Sequence, residues 1–304
     1  MIKEIKDILL NTLKTNAQIH HKYEVYAFTN ENIDAYLKGV HGKNALSVCS
    51  SGDQYLNLIN YGFKTIDLMD LNPLTEYYTL GIKQALILAF PYETHKKAIT
   101  FLLKKSNLEI ERKILEYLLL FMSPKYKQFW QIIFTYYFEL QDQYQRKINL
   151  FQMLTQDYYF NLEEITFYNS YLKSKETYEA LKEQIAQVKV HFTSGSILEC
   201  QRELTYDLIL CSNILEYGYY PNLTIKKLKE LFEPLAKSLK KDGMLYAAYI
   251  YNLYLDKELR TYPIGGADIK GRDLLKEEIK RVSSYQRGRE NGVLILRKDL
   301  AMKS

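Results

Sequence analysis

The sequence has few of the residues that mark disulfide-rich or metal-binding proteins. Its 304 residues include three cysteines, Cys49, Cys200 and Cys211, with no CxxC pair among them. An odd number of cysteines, two of them inside apolar runs, indicates buried reduced thiols, which favours the cytoplasm. The five histidines are isolated apart from the adjacent pair His20 and His21. We therefore predict no disulfide framework and no metal site.

Long apolar runs are also missing. No run approaches the about 18 apolar residues that a transmembrane helix needs. The first residues, MIKEIKDILLNTL, include Glu4 and Asp7 and predict an amphipathic helix rather than a signal peptide. We expect a soluble protein that can still touch a membrane surface.

Neither sign of charge is in large excess. The chain has 41 Lys and Arg against 36 Asp and Glu, a formal net charge of +5, and its pI is about 8.7. Domains that bind nucleic acid commonly have a pI above about 9. Because the basic residues are mixed with Glu along the chain, most of them are expected on solvated helix faces. We expect no nucleic-acid partner.

Short apolar runs alternate with helical patterns early in the chain. ALSVCS (45–50) and TIDLMD (65–70) have the length and composition of buried strands. Each is followed by a helical pattern, at 53–62 and 74–88. This β-α-β-α order predicts a doubly wound α/β sheet.

The same pattern returns later in the chain. Further strands are predicted at 188–194, 206–213 and 244–251, with a helix at 225–240 before the last of these. IKRVSSYQ and GVLILRK then predict an antiparallel hairpin. The whole predicts one Rossmann-like sheet of about seven strands.

About ninety residues of helical pattern lie between these two parts, too many for a simple connection. Helices are predicted at 94–105, 108–122, 125–150 and 170–188. The third has one apolar stripe from Phe129 to Tyr144 and a second at Trp130, Phe134 and Phe138. A helix that is apolar on two sides must be covered on two sides, by its own domain or by a partner.

Three parts are therefore expected along the chain. We predict N-terminal helices at 1–40, a Rossmann-like domain at 41–90 and 186–304, and an inserted helical subdomain at 91–185.

The stretch SVCSSGDQYL (47–56) has the composition of a ligand-binding turn. Gly52 permits close backbone approach, and the helix that begins there presents free N–H groups. Asp70 follows eighteen residues after Gly52, at the end of the second strand. An acid at that place accepts hydrogen bonds from ribose hydroxyls in nucleoside-binding folds. The pair predicts a nucleoside site, and a cap of the following helix is the alternative role for Asp70.

The residues of the turn also bear on which nucleoside binds. A dinucleotide site needs G-x-G-x-x-G, whereas this turn keeps only Gly52 and places Asp53 where a pyrophosphate would lie. An acid there suits an ammonium or a sulfonium group. S-adenosylmethionine carries both, so it is the predicted cofactor. A turn without any ligand is the alternative.

Three segments of the chain resemble a known family. LSVCSSGDQYLNLINYG, IDLMDLNPL and YDLILCSNILEY are similar to class I S-adenosylmethionine-dependent transferases. They resemble more closely the family of the betaine-lipid synthase that transfers a 3-amino-3-carboxypropyl group. The resemblance covers about 45–90 and 206–217, a fifth of the chain, and does not extend over the helical insertion. It implies a class I methyltransferase sheet and S-adenosylmethionine as the cofactor.

The resemblance also implies roles for individual residues. The methionyl end of the cofactor would be held by Ser50, Ser51, Gly52 and Asp53. The ribose and the adenine edge would be held by Asp70, Leu71 and Asn72. Ser196 lies where many relatives have an acid or amide that contacts adenine, and a cap of the next helix is its alternative role.

The fourth strand ends in CSNILEYGYYPN, without the Asn/Asp-Pro-Pro-Tyr/Phe motif of many amine methyltransferases. This difference disfavours that subclass. Ser212 and Asn213 are expected at the carboxyl edge of the sheet, where ligands bind in such folds. Glu216 and Tyr217 are the candidate catalytic residues for contacting the acceptor, with Glu216 as a base. An exposed carboxylate at a helix start is the alternative for Glu216.

The predicted function is a transferase that uses S-adenosylmethionine and passes a 3-amino-3-carboxypropyl or methyl group to a small-molecule or lipid acceptor. The alternative is a non-catalytic binding or assembly protein that keeps the fold and uses the helical insertion as an interface. A homodimer through the insertion and peripheral membrane contact are both consistent with its aromatic, basic composition.

Overall fold

The computed structural model describes residues 1–104, 107–146, 148–156, 161–200, 205–214, 225–248, 275–283, 285 and 290–298. One seven-stranded sheet has the order β3-β2-β1-β4-β5-β7-β6. Its strands are β1 (Asn44–Val48), β2 (Thr65–Asp70), β3 (Lys189–Ser194), β4 (Tyr206–Leu210), β5 (Leu239–Ala248), β6 (Leu275–Ser283) and β7 (Glu290–Lys298).

The pairing of the strands confirms the predicted Rossmann-like fold. β1 to β5 pair in parallel, and β7 pairs antiparallel with both β5 and β6. The strand order reverses between β1 and β4, because β2 and β3 lie on one side of β1 and β4 and β5 on the other. Ligands of open α/β sheets bind in the crevice at the carboxyl ends of strands at such a reversal.

Helices surround the sheet and add a further layer. They are α1 (Ile2–Thr15), α2 (Ile33–Leu37), α3 (Asp53–Asn60), α4 (Leu74–Glu76), α5 (Gln84–Ala89), α6 (Tyr92–Lys104), α7 (Leu108–Leu118), α8 (Pro124–Tyr144), α9 (Leu150–Leu154), α10 (Leu162–Tyr168), α11 (Lys175–Ile185) and α12 (Ile225–Lys237). None of the helices in the described part of the chain combines the length and apolar character needed to cross a bilayer.

Both faces of the sheet are covered by apolar side chains. α3 and α11 pack on one face around Leu58, Ile66 and Leu181. α12 packs on the other face, where Phe232 and Leu235 join Leu46 in a second cluster. Because both faces of the sheet are covered, consecutive residues at 45–47 and 66–69 are buried rather than every second one.

A third apolar cluster joins α1 to the helices between β2 and β3. Ile5 and Leu9 of α1 share this cluster with Trp130, Ile133 and Tyr137 of α8. The second stripe of α8, Trp130, Phe134 and Phe138, is buried here within one chain, as are Phe129 and Ile133 of the first stripe. Tyr136 and Tyr144 of the first stripe are half-buried. The helical layer and the N-terminal helix therefore form one packed unit.

The helix predicted at 74–88 contains a π-helical segment, Tyr77–Lys83, between α4 and α5. The segment packs tightly on α8, because a Cβ at Gly81 would lie 2.6 Å from the Trp130 indole nitrogen. That nitrogen donates to the Tyr77 carbonyl oxygen at 2.8 Å. Apolar periodicity alone cannot distinguish such a segment from an ordinary helical turn.

Two predicted boundaries are wrong. α8 ends at Tyr144 rather than near 150, because Gln145 adopts a left-handed conformation with φ of 49°. β5 begins at Leu239 rather than 244. β5 pairs with β4 both before the predicted turn, at Leu239, and after it, from Met244, with a register shift between the two. Asp242, inside the turn, has a positive φ of 62°.

Candidate functional site

The turn after β1 is tied to the end of β2 by backbone and side-chain hydrogen bonds. The Cys49 N–H donates to the Met69 carbonyl oxygen at 2.9 Å and prolongs the strand pairing. Ser50 then turns the chain with a positive φ of 47°, and its N–H donates to Asp70 Oδ2 at 2.8 Å. The first strand thus ends directly against the acid that terminates the second.

Asp70 is held by backbone donors on both oxygens. Oδ2 accepts from Ser50, and Oδ1 accepts from the Asn72 N–H at 2.9 Å. Burial raises the pKa of Asp70 to about 6, although the backbone hydrogen bonds from Asn72, Ser50 and Leu71 favour the ionised form. A carboxylate has about four acceptor positions, so at least one remains for another donor.

A cavity of about 440 Å³ opens at this edge of the sheet, beside Asp70. Pockets of about 300–1,000 Å³ are typical of small-molecule and cofactor sites. Six of the ten residues predicted to bind a cofactor line it: Ser50, Asp70, Leu71, Asn72, Ser196 and Asn213.

Apolar side chains line much of the cavity around these polar residues. Val48, Met69, Ile197, Leu198 and Ile214 supply the apolar lining. Leu71, at the rim, is 75% exposed although it is a large apolar residue. Apolar side chains on two sides of a polar anchor can hold a flat heterocycle whose sugar reaches Asp70.

Two of the lining residues also cap local structure. Asn72 Oδ1 accepts from the Leu74 N–H at 3.0 Å, ahead of α4. Ser196 Oγ accepts from the Leu198 N–H at 3.3 Å, so the capping role considered for Ser196 is present. The Ser196 residue faces the cavity all the same.

The N-terminal segment covers one side of the cavity, which the sequence did not predict. Lys22, Glu24, Val25 and Tyr26 line the cavity together with Gln156 of the helical layer. The Val25 N–H donates to the Leu154 carbonyl at 2.9 Å, and Gln156 N–H donates back to the Val25 carbonyl at 3.0 Å. A short parallel bridge therefore closes the site between segments about 130 residues apart.

The second half of the turn lies beneath the cavity rather than at its surface. Ser51, Gly52 and Asp53 are buried and do not line it. A Cβ at Gly52, which has φ of 81°, would lie 2.5 Å from Thr79 Oγ1. Glycine is thus required here by the neighbouring π-helical segment and by the backbone conformation.

Asp53 is neutralised inside the protein. Lys83 Nζ lies 2.5 Å from Asp53 Oδ1, and the Tyr171 hydroxyl donates to the same oxygen at 2.9 Å. The Thr29 N–H donates to Oδ2 at 2.6 Å. Burial lowers the pKa of Lys83, opposed by the Asp53 charge. This corrects the expectation that the Asp53 carboxylate faces a cationic ligand, because it faces Lys83.

Ser212 follows β4 with a positive φ of 52° and is buried behind Asn213. Its hydroxyl contacts the carboxylate of Glu31, and Gln54 Nε2 donates to it at 3.3 Å. Glu31 and Gln54 were not among the predicted site residues. The sequence predicted only helices over 1–40, since local spacing does not show which buried strand a side chain meets.

Glu216 and Tyr217, the predicted acceptor contacts, lie outside the described residues. Within the described part of the chain, no group of three His, Cys, Asp or Glu side chains could hold a metal ion. Cys49, Cys200 and Cys211 are buried and form no disulfide with one another, and burial raises the pKa of the Cys49 thiol to about 12.

No protein-family model matches the sequence, and no curated protein is significantly similar to it. Several solved methyltransferase structures align with most of this chain. The N-methyltransferase NodS from Bradyrhizobium japonicum, solved with S-adenosyl-L-homocysteine, is 9% identical over 88% of this chain and 83% of its own, with a TM-score of 0.39. The rRNA methyltransferase aviRa from Streptomyces viridochromogenes is 13% identical over 88% and 80%, with a TM-score of 0.37. A methyltransferase from Pyrococcus furiosus is 11% identical over 98% of both chains, with a TM-score of 0.38. Likeness at this level carries no argument about activity.

Proposed function

We propose that the protein is a group transferase that uses S-adenosylmethionine and modifies a small-molecule or lipid acceptor. The observation that carries the proposal is Asp70, held by two backbone N–H groups at the strand reversal and facing a cavity of about 440 Å³. An ionised acid with acceptor positions left over is suited to a ribose diol.

The residues around Asp70 fit an adenosine group. Met69, Ile197 and Ile214 provide apolar surface for the base. Leu71 at the rim would be covered by the ligand, since it is largely exposed in the free protein. When bound, S-adenosylmethionine supplies a sulfonium whose attached carbons are already activated, so the protein's task is to bind and align an acceptor.

The identity of the transferred group depends on which carbon the acceptor approaches. Transfer of 3-amino-3-carboxypropyl is supported by the resemblance of SSGD and LMDLNPL to the betaine-lipid synthase family. Methyl transfer remains the second candidate. Glu216 and Tyr217 stay the predicted acceptor contacts, because they follow Asn213, which lines the cavity.

The non-catalytic alternative was motivated by the two apolar sides of α8. Most of the apolar residues on these sides are buried by other parts of this chain, including α1 and the π-helical segment. The part of α8 that stays open is therefore smaller than the sequence predicted. Dimer formation and membrane contact remain predictions from composition alone.

Product analysis tests the proposal. The purified protein is incubated with S-adenosylmethionine and either a polar metabolite extract or a lipid extract, and nucleoside products are quantified by mass spectrometry. Release of 5′-methylthioadenosine indicates aminocarboxypropyl transfer, whereas S-adenosylhomocysteine indicates methyl transfer. Production of neither nucleoside above the rate of the Asp70→Ala variant, with any extract, would argue against a transferase.

A further inference from the structure

A second polar group lies behind the cavity, between the first turn of α3 and the end of β4. Glu31 is 2% exposed, Gln54 is fully buried and Ser212 is 3% exposed. Glu31 Oε2 accepts from the Tyr36 hydroxyl at 2.9 Å, and the Ser212 hydroxyl contacts Oε1. The carboxylate comes from the N-terminal segment, and the Ser212 hydroxyl that it contacts also accepts from Gln54 of α3.

Two features of this group point to a ligand that donates hydrogen bonds. Gln54 Oε1 is buried and has no hydrogen-bond partner among the described residues, and a buried carbonyl oxygen without a donor is costly. The Ser212 hydroxyl has a second acceptor within reach, because Asn213 Oδ1 lies 3.3 Å away. Turning toward Asn213 would let a donor of the ligand take the place of the Ser212 hydroxyl at Glu31 Oε1.

The place of the group in the fold matches one end of the proposed ligand. Ser50 and Asn213 line the cavity. Ser212 directly precedes Asn213 in the chain, and Gln54, four residues after Ser50, donates to the Ser212 hydroxyl. A nucleoside with its ribose at Asp70 would direct its 5′ substituent toward this side, between β1 and β4. Asp53 was expected to face the cationic end of the ligand, but its carboxylate is paired with Lys83 instead.

We propose that Glu31 and the Gln54 carbonyl oxygen bind the ammonium group of the amino-acid tail of the ligand. An alkylammonium has three donors and no acceptor, which complements a carboxylate and an amide oxygen. This inference rests on the proposed function, because the ribose must be at Asp70 for the tail to reach Glu31.

Paired nucleosides test the inference by isothermal titration calorimetry. S-adenosylhomocysteine carries the amino-acid tail and 5′-methylthioadenosine lacks it. Glu31→Gln should weaken S-adenosylhomocysteine binding by at least about tenfold, since a charge-assisted hydrogen bond is lost. Its affinity for 5′-methylthioadenosine should change by less than about threefold. Equal weakening of both, or no weakening of either, would overturn the inference.

Two further variants keep the test decisive. Glu111→Gln removes another buried carboxylate, in the helical layer, where Glu111 accepts from Tyr137 and Leu150. It should leave the ratio of the two affinities unchanged. If Glu31→Gln does not fold, Gln54→Met replaces it and should lower the ratio several-fold; an unchanged ratio contradicts the inference. Wild-type protein that binds neither nucleoside would overturn the proposed function as well.

Discussion

The Asp70 carboxylate lies at the end of β2, beside the cavity at the strand reversal. It is oriented by backbone N–H groups of Ser50 and Asn72. Its spacing from Gly52 predicted an acid at the end of the second strand. The sequence did not predict the backbone donors that orient it, because Ser50 and Asn72 were expected to contact the ligand.

The raised pKa of Asp70 predicts a pH-dependent affinity. Only the ionised carboxylate has no proton on either oxygen, so both oxygens can accept hydrogen bonds from ribose hydroxyls. Burial raises the pKa of Asp70 to about 6. The affinity for S-adenosylhomocysteine should be level above about pH 7. It should fall progressively below about pH 6, toward tenfold per pH unit, as the free protein takes up a proton.

Calorimetry between pH 5 and 8 measures this dependence. Asp70→Asn cannot ionise, so its weaker binding should be nearly independent of pH over the same range. A flat profile for the wild-type protein, or the same slope in the variant, would show that Asp70 does not control binding.

Asp53 shows what residue spacing cannot predict. Its position in the turn was predicted, but its side chain points inward to Lys83, thirty residues later in the sequence and on a π-helical segment. Which way a side chain turns depends on its non-local partners. For the same reason the sequence did not predict that Glu31 and Gln54 lie near the site, or that the N-terminal segment at 22–26 lines the cavity.

At the scale of elements, the turn after β1 is shaped by the π-helical segment against which it packs. Thr79 of that segment leaves no room for a Cβ at Gly52, and its hydroxyl lies 3.2 Å from Cys49 Sγ. The apolar pattern predicted a helix at 74–88 correctly, but the pattern does not distinguish a π turn from an α turn. The element was predictable, whereas the local winding that positions Thr79 was not.

A pair of glycine variants isolates this contact. Gly52 and Gly62 both have positive φ, 81° and 91°, but a Cβ at Gly62 would meet no atom within 4 Å. Gly62→Ala should therefore lower the free energy of unfolding by only about 1 kcal/mol. Gly52→Ala should cost about 1–3 kcal/mol more, because overpacking is added to the backbone strain.

Urea unfolding followed by circular dichroism measures both losses. Thr79→Ala removes the two closest atoms, so the Gly52→Ala/Thr79→Ala protein should recover part of the excess. Equal losses for the two single variants would mean that the turn is not packed against Thr79 as described.

At the scale of the whole molecule, the order of elements was predictable and the closure of the site was not. Alternating strand and helix patterns predicted the sheet, including the terminal hairpin formed by β6 and β7. The contact between Val25 and Thr155 joins segments with no local signal that relates them. Long-range pairing of this kind depends on the packing of α1 against the helical layer.

The buried pair of Lys83 and Asp53 joins several of these parts. Asp53 contacts Thr29 of the N-terminal segment and Tyr171 of the helical layer as well as Lys83. Lys83→Met would leave a buried carboxylate without its cation and should lower the free energy of unfolding by about 3–5 kcal/mol. Replacing both charges, as Asp53→Asn with Lys83→Met, should recover part of that loss.

Chemical unfolding followed by the fluorescence of Trp130, the single tryptophan, measures the loss of unfolding free energy in the helical layer. Far-ultraviolet circular dichroism reports it for the whole chain. A loss below about 1 kcal/mol by both probes would be inconsistent with a pair that holds these segments together.

The binding of S-adenosylhomocysteine to wild-type and Asp70→Ala protein tests the central claim most directly. Calorimetry should show at least about tenfold weaker binding for Asp70→Ala, because hydrogen bonds from ribose to a carboxylate are lost. Asp142→Ala removes an exposed carboxylate that pairs with Arg112 on the surface, and it should bind like the wild type. Equal affinities for the wild-type and Asp70→Ala proteins, with both folded, would contradict the assignment of this cavity as the cofactor site.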